Sequence, residues 1–436
     1  MCHNVSMTSQ LKQVLSSEGL KQSFFFTAGN LGAYAISAIS LLLISRSLGP
    51  VNFGEYWVGV AFLTILAKLQ TFGLPTAMQK LVGKVHSDKA AVQKIFQHSM
   101  VLLGASVSVG AVLGIVAATL MSSVLELQHP TILYGAVLCA SITAIFEQIS
   151  VFHQVTHNFF TAVAMLVLQA LGKLGVAAVF LLTGHLSVAA LFTLFYLVPV
   201  LSIAFGMSHI PEKIKLHPRA MDKALVRKFT AIVPHTVLMA VGLALMDYSD
   251  VFLLKKFTTT TETGLYGGVS QFALAIALIA QAVGGVLNSR VNRYHRATDL
   301  FAYLKKVPLL LVGAGVGFVA FLPFARLIVL YTLGESYLAA VPILVGLIAA
   351  AVIFAATIPL AAIMYIDEER SEYFSISTIL MILVQVGGGF LLIPQFGVEA
   401  AVGVRVASRV VVFAYTVFAV LSFLRRKYST VFSKPS

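Results

Sequence analysis

Eight ionisable side chains lie inside long apolar stretches of this chain: Lys68, Glu147, Lys173, Asp247, Asp250, Arg326, Arg405 and Arg409. A charge in hydrocarbon is costly, so such groups face a protein interior or a wet cavity and mark places where charge is bound or compensated. Counting ~1.5 Å per residue from the ends of the apolar stretches places Lys68 and Glu147 roughly 8 to 10 Å from one membrane face, Asp247 and Arg405 about 10 Å from the other, and Lys173 and Arg409 roughly 15 Å from that second face. The matched depths predict two ion pairs, Lys68 with Glu147 and Asp247 with Arg405, serving either structure or ion coupling. Asp250 and Arg326 fall close enough to the interface to snorkel. Lys173 and Arg409 share the midplane with no carboxylate at their depth, which predicts that together they form an anion-binding site. Arg405 is one helical turn from Arg409 and extends the positive stripe. The candidate cavity residues are therefore Lys173, Arg409, Arg405 and Lys68, with Asp247 and Glu147 as their acidic counterparts.

Other chemistry is poorly served. His153 and His157 have i, i+4 spacing, but no third ligand is visible, so neither a metal site nor another cofactor is expected. The phosphate-cradling pattern GxxxxGK[ST] does not occur, which argues against direct ATP drive. Gly110-x-x-x-Gly114 and Gly313-x-x-x-Gly317 suit close helix approach better than ligand binding.

The elements that must position these charges are membrane helices. Apolar residues make up 58% of the 436 and charged ones only 11%, with mean hydropathy +0.92; no soluble domain hides so much apolar surface. The apolar runs are about 20 residues long, the length that crosses a bilayer. They predict spans at 24–45, 55–75, 97–121, 131–152, 158–183 and 186–206, then at 229–254, 264–288, 306–332, 340–366, 373–393 and 398–424. The chain thus divides into a polar N-terminus (1–23), a six-helix half (24–206), a basic linker (207–228), a second six-helix half (229–424) and a basic tail (425–436). Residues 1–22 lack the apolar core of a cleavable signal.

Nearly all loop Lys and Arg fall on one side; only Arg46, Lys255 and Lys256 fall on the other. The positive-inside rule then makes both termini cytoplasmic, in the cytoplasmic membrane. The net charge of +13 follows from that topology rather than from nucleic-acid binding, since the basic residues are spread over loops without interleaved aromatics. Cys2 and Cys139 are too far apart in the topology to form a disulfide, and the sequon at Asn4 is expected to remain unmodified.

An internal repeat supports the two-half division. Arg46, Gly54 and Tyr56 recur as Lys256, Gly264 and Tyr266, and Phe180-Leu181-Leu182 recurs as Phe390-Leu391-Leu392. Six spans separate the copies, so the repeats are parallel, about an axis along the membrane normal.

The stretch SRSLGPVNFGEYWVGVAFLTILAKLQTFGLPTAMQKLVGK (45–84) resembles the first hairpin of the polysaccharide transporter family, the lipid-linked oligosaccharide flippases of the multidrug/oligosaccharidyl-lipid/polysaccharide (MOP) exporter superfamily. Arg46, Leu48, Gly49, Phe53, Gly54, Tyr56, Phe72, Gly73 and Leu74 carry the resemblance. DVFLLKKFTTTTETGLYGGVSQF (250–272) and LGESYLAAVPILVGL (333–347), with a Gly-x-x-Tyr at the tenth helix, agree with it. The resemblance implies an all-α, V-shaped, MATE-like bundle of about twelve helices with alternating access to a central cavity. It further implies export of a polyprenyl-pyrophosphate-linked glycan, as in O-antigen synthesis, with membrane lipids, a coupling H⁺ or Na⁺ and polysaccharide polymerase machinery as partners. Asp367-Glu368-Glu369-Arg370 departs from the small or basic linker expected there. The rival within the superfamily is a cation-coupled multidrug exporter, which binds its cargo with carboxylates rather than the cations found at the midplane here. A membrane polymerase or ligase is the rival from another class; every outer loop is about ten residues or shorter, too short for the platform such an enzyme needs.

Overall fold

The computed structural model describes residues 18–85, 88–184, 187–210, 222–291, 297–366 and 371–427. The acidic cluster at 367–370, half of the linker (211–221), Cys2 and the sequon lie outside them. Every regular element among the described residues is helical. Ten helices among the described residues are long and apolar enough to cross a bilayer. Two of these, Phe25–Thr71 and Tyr373–Arg426, are 47 and 54 residues long, about twice the ~20 residues that one crossing needs. Each is broken part-way by a glycine with positive φ, Gly49 (φ 67°) in the first and Gly397 (φ 60°) in the last. The described helices therefore accommodate twelve crossings, and the protein is a multi-pass helical membrane protein.

The helices are labelled α1 (Glu18–Thr71), α2 (Leu74–Gly83), α3 (Lys89–Val124), α4 (Thr131–Val155), α5 (Phe159–Thr183), α6 (Val188–Leu197), α7 (Pro199–Ser208), α8 (Lys223–Phe257), α9 (Thr260–Val291), α10 (Ala297–Leu304), α11 (Val307–Phe321), α12 (Ala325–Thr332), α13 (Val341–Ala361), α14 (Ser371–Ile382) and α15 (Gly388–Lys427). Their ends follow local chemistry. Asn158 caps α5 by accepting from the Thr161 amide, and Gly184 ends it in the left-handed conformation. Ser187 caps α6 through the Ala190 amide. Pro199 interrupts the span 186–206 into α6 and α7, because proline removes a helical donor and crowds the preceding turn. Apolar side chains such as Val109, Leu113, Leu309 and Val316 point outward, as they do where hydrocarbon replaces water as solvent.

The chain packs as two compact units. One holds the chain up to Ile44, Leu66–Leu120 and His129–Leu238; the other holds Ser45–Ile65, Met121–Gln128 and the chain from Met239 onward. In the first unit, α2, α3, α4 and the start of α8 enclose a core of Met78, Phe96, Phe152 and Phe229. Gly73, with φ 65°, lies against Thr236 where a Cβ would collide with its hydroxyl.

Inside the second unit, contacts fix the segment from Ser45 to Ile65. Arg46 donates to the Tyr331 carbonyl at 2.9 Å, and buried Tyr337 donates to the Ser45 carbonyl at 3.0 Å. Buried Glu55 accepts from the Gln128 amide at 2.6 Å. Here α1 and α9 cross on their repeated glycines. A methyl on Gly54 would run into the Thr260 carbonyl, and one on Gly264 into the Pro50 carbonyl. Position 260 is to 50 as 264 is to 54, so the contact is reciprocal, as in an isologous interface. Only residues without a side chain let backbones approach this closely.

Candidate functional site

The second unit contains a buried cluster of four charges. Asp247 and Asp250 lie about one turn apart on α8, and Arg405 and Arg409 one turn apart on α15, so both pairs can face each other in register. Arg405 Nε lies 3.1 Å from Asp250 Oδ2, with the side chains only 5% and 2% exposed. Arg405 Nη2 also donates to the backbone carbonyls of Asp247 (2.5 Å) and Met246 (3.3 Å). The same Asp250 oxygen accepts from Tyr266 Oη on α9 and from Gln385 Nε2 at 3.2 Å. Gln385 Oε1 accepts in turn from Ser408 at 2.9 Å. Gln385 lies on a π-helical turn, Leu383–Gly387, a device that re-aims one residue within a helix. Asp250 and Arg405 are thus held on several sides, the condition under which a buried pair survives desolvation.

Arg409 is tied differently. Its Nη2 lies 3.2 Å from Asp247 Oδ1, its Nη1 reaches the Met381 sulfur at 3.2 Å, and its guanidinium stands 4.6 Å from the Phe354 ring centroid. A guanidinium has five N–H donors, so donors are left over among the described residues. Asp247, 27% exposed against 9% for Arg409, faces a cavity lined also by Arg405, Arg409, Phe354, Leu347 and Ala273.

These contacts correct three expectations. Asp250 does not snorkel to an interface; it is buried and holds Arg405. The carboxylate partner of Arg405 is Asp250, not Asp247, whose contact with Arg405 is through its main-chain carbonyl. Arg409 does have a carboxylate at its depth, Asp247. One cause explains all three: α8 runs to Phe257, three residues past the predicted end at 254. Recounted from there at ~1.5 Å per residue, Asp247 drops to about 15 Å and Asp250 to about 10 Å, level with Arg409 and Arg405 respectively. Tyr266, Gln385, Met381 and Phe354 are not among the site residues expected from sequence. Tyr266 carried a signal, as a repeat position; Gln385 had none beyond being an amide in an apolar run.

In the first unit, Lys68 Nζ lies 3.0 and 2.8 Å from the two carboxylate oxygens of Glu147, with side chains 34% and 32% exposed. Lys173 forms no ion pair among the described residues. Its ammonium stands 5.1 and 5.0 Å from the ring centroids of Phe195 and Tyr196, so aromatic faces supply part of the compensation that a carboxylate would give. Arg326 is exposed. His153 contacts the Gly206 carbonyl at 3.0 Å, and no group of three or more His, Cys, Asp or Glu that could hold a metal occurs among the described residues. Cys139 is a buried free thiol.

Helices broken at Gly49 and Gly397 and charges buried among apolar helices define a multi-pass membrane protein that holds charge inside the bilayer. Residues 20–288 match the family described as polysaccharide biosynthesis protein, and the chain belongs to that family. Solved structures agree on the fold at low identity. An inward-facing multidrug resistance MATE family transporter of the MOP superfamily aligns over 91% of this chain and 96% of its own, with TM-score 0.71 and 15% identity. Lipid II flippase MurJ in an inward closed conformation aligns over 91% and 87%, with TM-score 0.74 and 12% identity. A MATE transporter in complex with MaL6 aligns over 95% and 99%, with TM-score 0.62 and 14% identity. No curated protein sequence matches.

Proposed function

We propose that the protein flips a polyprenyl-pyrophosphate-linked oligosaccharide from the cytoplasmic to the outer leaflet of the cytoplasmic membrane, by alternating access, for polysaccharide assembly. Both termini are cytoplasmic in this reading, and Lys173 and Arg409 are the cationic groups that meet the diphosphate. The observation that carries it is Arg409: a guanidinium deep in the bundle, held by one 3.2 Å contact to a carboxylate, with spare donors beside a cavity. A planar fork of that kind grips phosphate oxygens two at a time. Membership of a polysaccharide biosynthesis family supports a glycan cargo. H⁺ or Na⁺ coupling and hand-over to a polymerase belong to the same proposal.

A second reading, cation-coupled multidrug export, draws on one observation. Asp247 offers a part-exposed carboxylate to the same cavity. Complementation of a flippase-deficient strain separates the two, with membrane levels checked by immunoblot. Arg409→Lys is expected to fail as Arg409→Ala does, because an ammonium cannot reproduce the fork, while Lys173→Arg is expected to be milder than Lys173→Ala. Normal glycan export by a well-expressed Lys173→Ala/Arg409→Ala variant would overturn the proposal.

A further inference from the structure

Arg405 and Arg409 sit one turn apart beside the same cavity, yet their surroundings differ. Arg405 is held by the Asp250 carboxylate and by two backbone carbonyls. Arg409 has one carboxylate contact, a thioether and a ring. Its acidic partner is unusually free to leave. The main chain of Asp247 is pinned by Arg405 Nη2 at 2.5 Å, whereas its side chain is 27% exposed and, among the described residues, makes a single polar contact, at 3.2 Å. The carboxylate can therefore swing away from Arg409 without disturbing the helix that carries it.

We infer that Asp247 is a specificity-determining residue, a resident carboxylate that an anion must displace from Arg409 Nη2 to take the guanidinium fork in full. The inference rests on the anion-binding reading above and deepens it. The consequence follows from exchange chemistry. An incoming carboxylate, on a fatty acid or an acidic sugar, brings no more charge than the one it replaces, so its gain at Arg409 is limited to geometry and is set against the freedom it loses on binding. A diphosphate brings more charge and several oxygens, and exchanges one long contact for a bidentate grip. Asp247 thus selects against carboxylates and admits phosphoryl groups. The same residue neutralises Arg409 when the cavity holds no cargo, sparing an unpaired buried charge.

The test uses two probes with one hydrocarbon tail, geranyl pyrophosphate and geranic acid, titrated by calorimetry into the purified full-length protein, with Arg409→Ala as background. Wild type is expected to bind the pyrophosphate through Arg409 and to show little geranic acid binding above that background. Asp247→Asn is expected to bind geranic acid about tenfold more tightly than wild type, the equivalent of roughly 1.4 kcal/mol, narrowing the preference for pyrophosphate. Asp247→Ser serves as the second neutral variant where the amide impairs folding. Pyrophosphate binding that depends on Arg409, with geranic acid affinity unchanged in both neutral variants, overturns the filter and leaves the flippase reading standing. Pyrophosphate binding that is the same in wild type and Arg409→Ala overturns both.

Discussion

Removing the Asp250 carboxylate while leaving its charge partner in place should be among the most damaging single changes available to this protein. Asp250→Asn keeps the size of the side chain but strands Arg405, 5% exposed, beside a neutral amide. Breaking a buried pair by neutralising one member costs about 3–5 kcal/mol, because the remaining charge is uncompensated. The tyrosine and glutamine that also donate to Asp250 lose the charge that strengthens their bonds. Glu147→Gln removes a carboxylate with an even shorter contact, 2.8 Å to Lys68. At about a third exposed, that pair belongs nearer the 0–1 kcal/mol range of partly solvated bridges. The assay is a thermal midpoint by fluorescence-detected size exclusion in one detergent, on both single variants and on Asp250→Asn/Arg405→Met and Glu147→Gln/Lys68→Met. At roughly 2–4 °C per kcal/mol for a unit of some 200 residues, Asp250→Asn should lower the midpoint by about 6–20 °C, and adding Arg405→Met should restore part of it. Glu147→Gln should move it by a few degrees at most. An Asp250→Asn loss no larger than that of Glu147→Gln, or strict additivity in the Asp250/Arg405 cycle, would refute the reasoning from burial.

Two further outcomes follow from packing and from charge. Gly264→Ala drives a methyl into the Pro50 carbonyl, an overpacking of about 1–3 kcal/mol. Gly313→Ala, where nothing lies within 4 Å, should be neutral or should raise the midpoint slightly through better helix propensity; equal effects of the two in the same thermal assay would contradict the crossing. Asp222, just before α8, is held below the usual aspartate range by Lys94 at 2.8 Å and then by the Ala224 amide. A depressed folded-state value means that its stabilisation is present at neutral pH and is lost as pH falls through that value, below about 4. The midpoint difference between wild type and Asp222→Ala should therefore be present at pH 7 and close in strongly acidic buffer; a difference that persists there would rule out the charge as its source.

What could be read from sequence was whatever depends on local composition. Apolar runs gave the membrane class and nearly every crossing, because hydrophobic length is a property of a window. Lys68 and Glu147 could be matched because both lie near helix ends that charge clusters mark clearly. The C-terminal charges could not be matched, because Phe257 and the two lysines before it blur the end of α8, and three residues of error is nearly one helical turn. The π-helical turn at Gln385 leaves no mark in an apolar run. The motif residues Arg46 and Tyr337 were legible as a resemblance, but their work, gripping main-chain carbonyls of Tyr331 and Ser45, depends on residues nearly three hundred positions away.

The reciprocal crossing of Gly54 and Gly264 limits how this sequence can change over generations. Elsewhere the two repeats share only scattered identities, since a residue in one need not answer to its counterpart in the other. At the crossing each glycine is pressed against the backbone of the opposite copy, so selection on one position is set by the other. Neither can acquire a side chain until the opposing helix retreats, and a retreat that suits one methyl makes room for a second at the equivalent site. The two positions are expected to change together or not at all, a small island of enforced likeness between repeats that are otherwise free to differ.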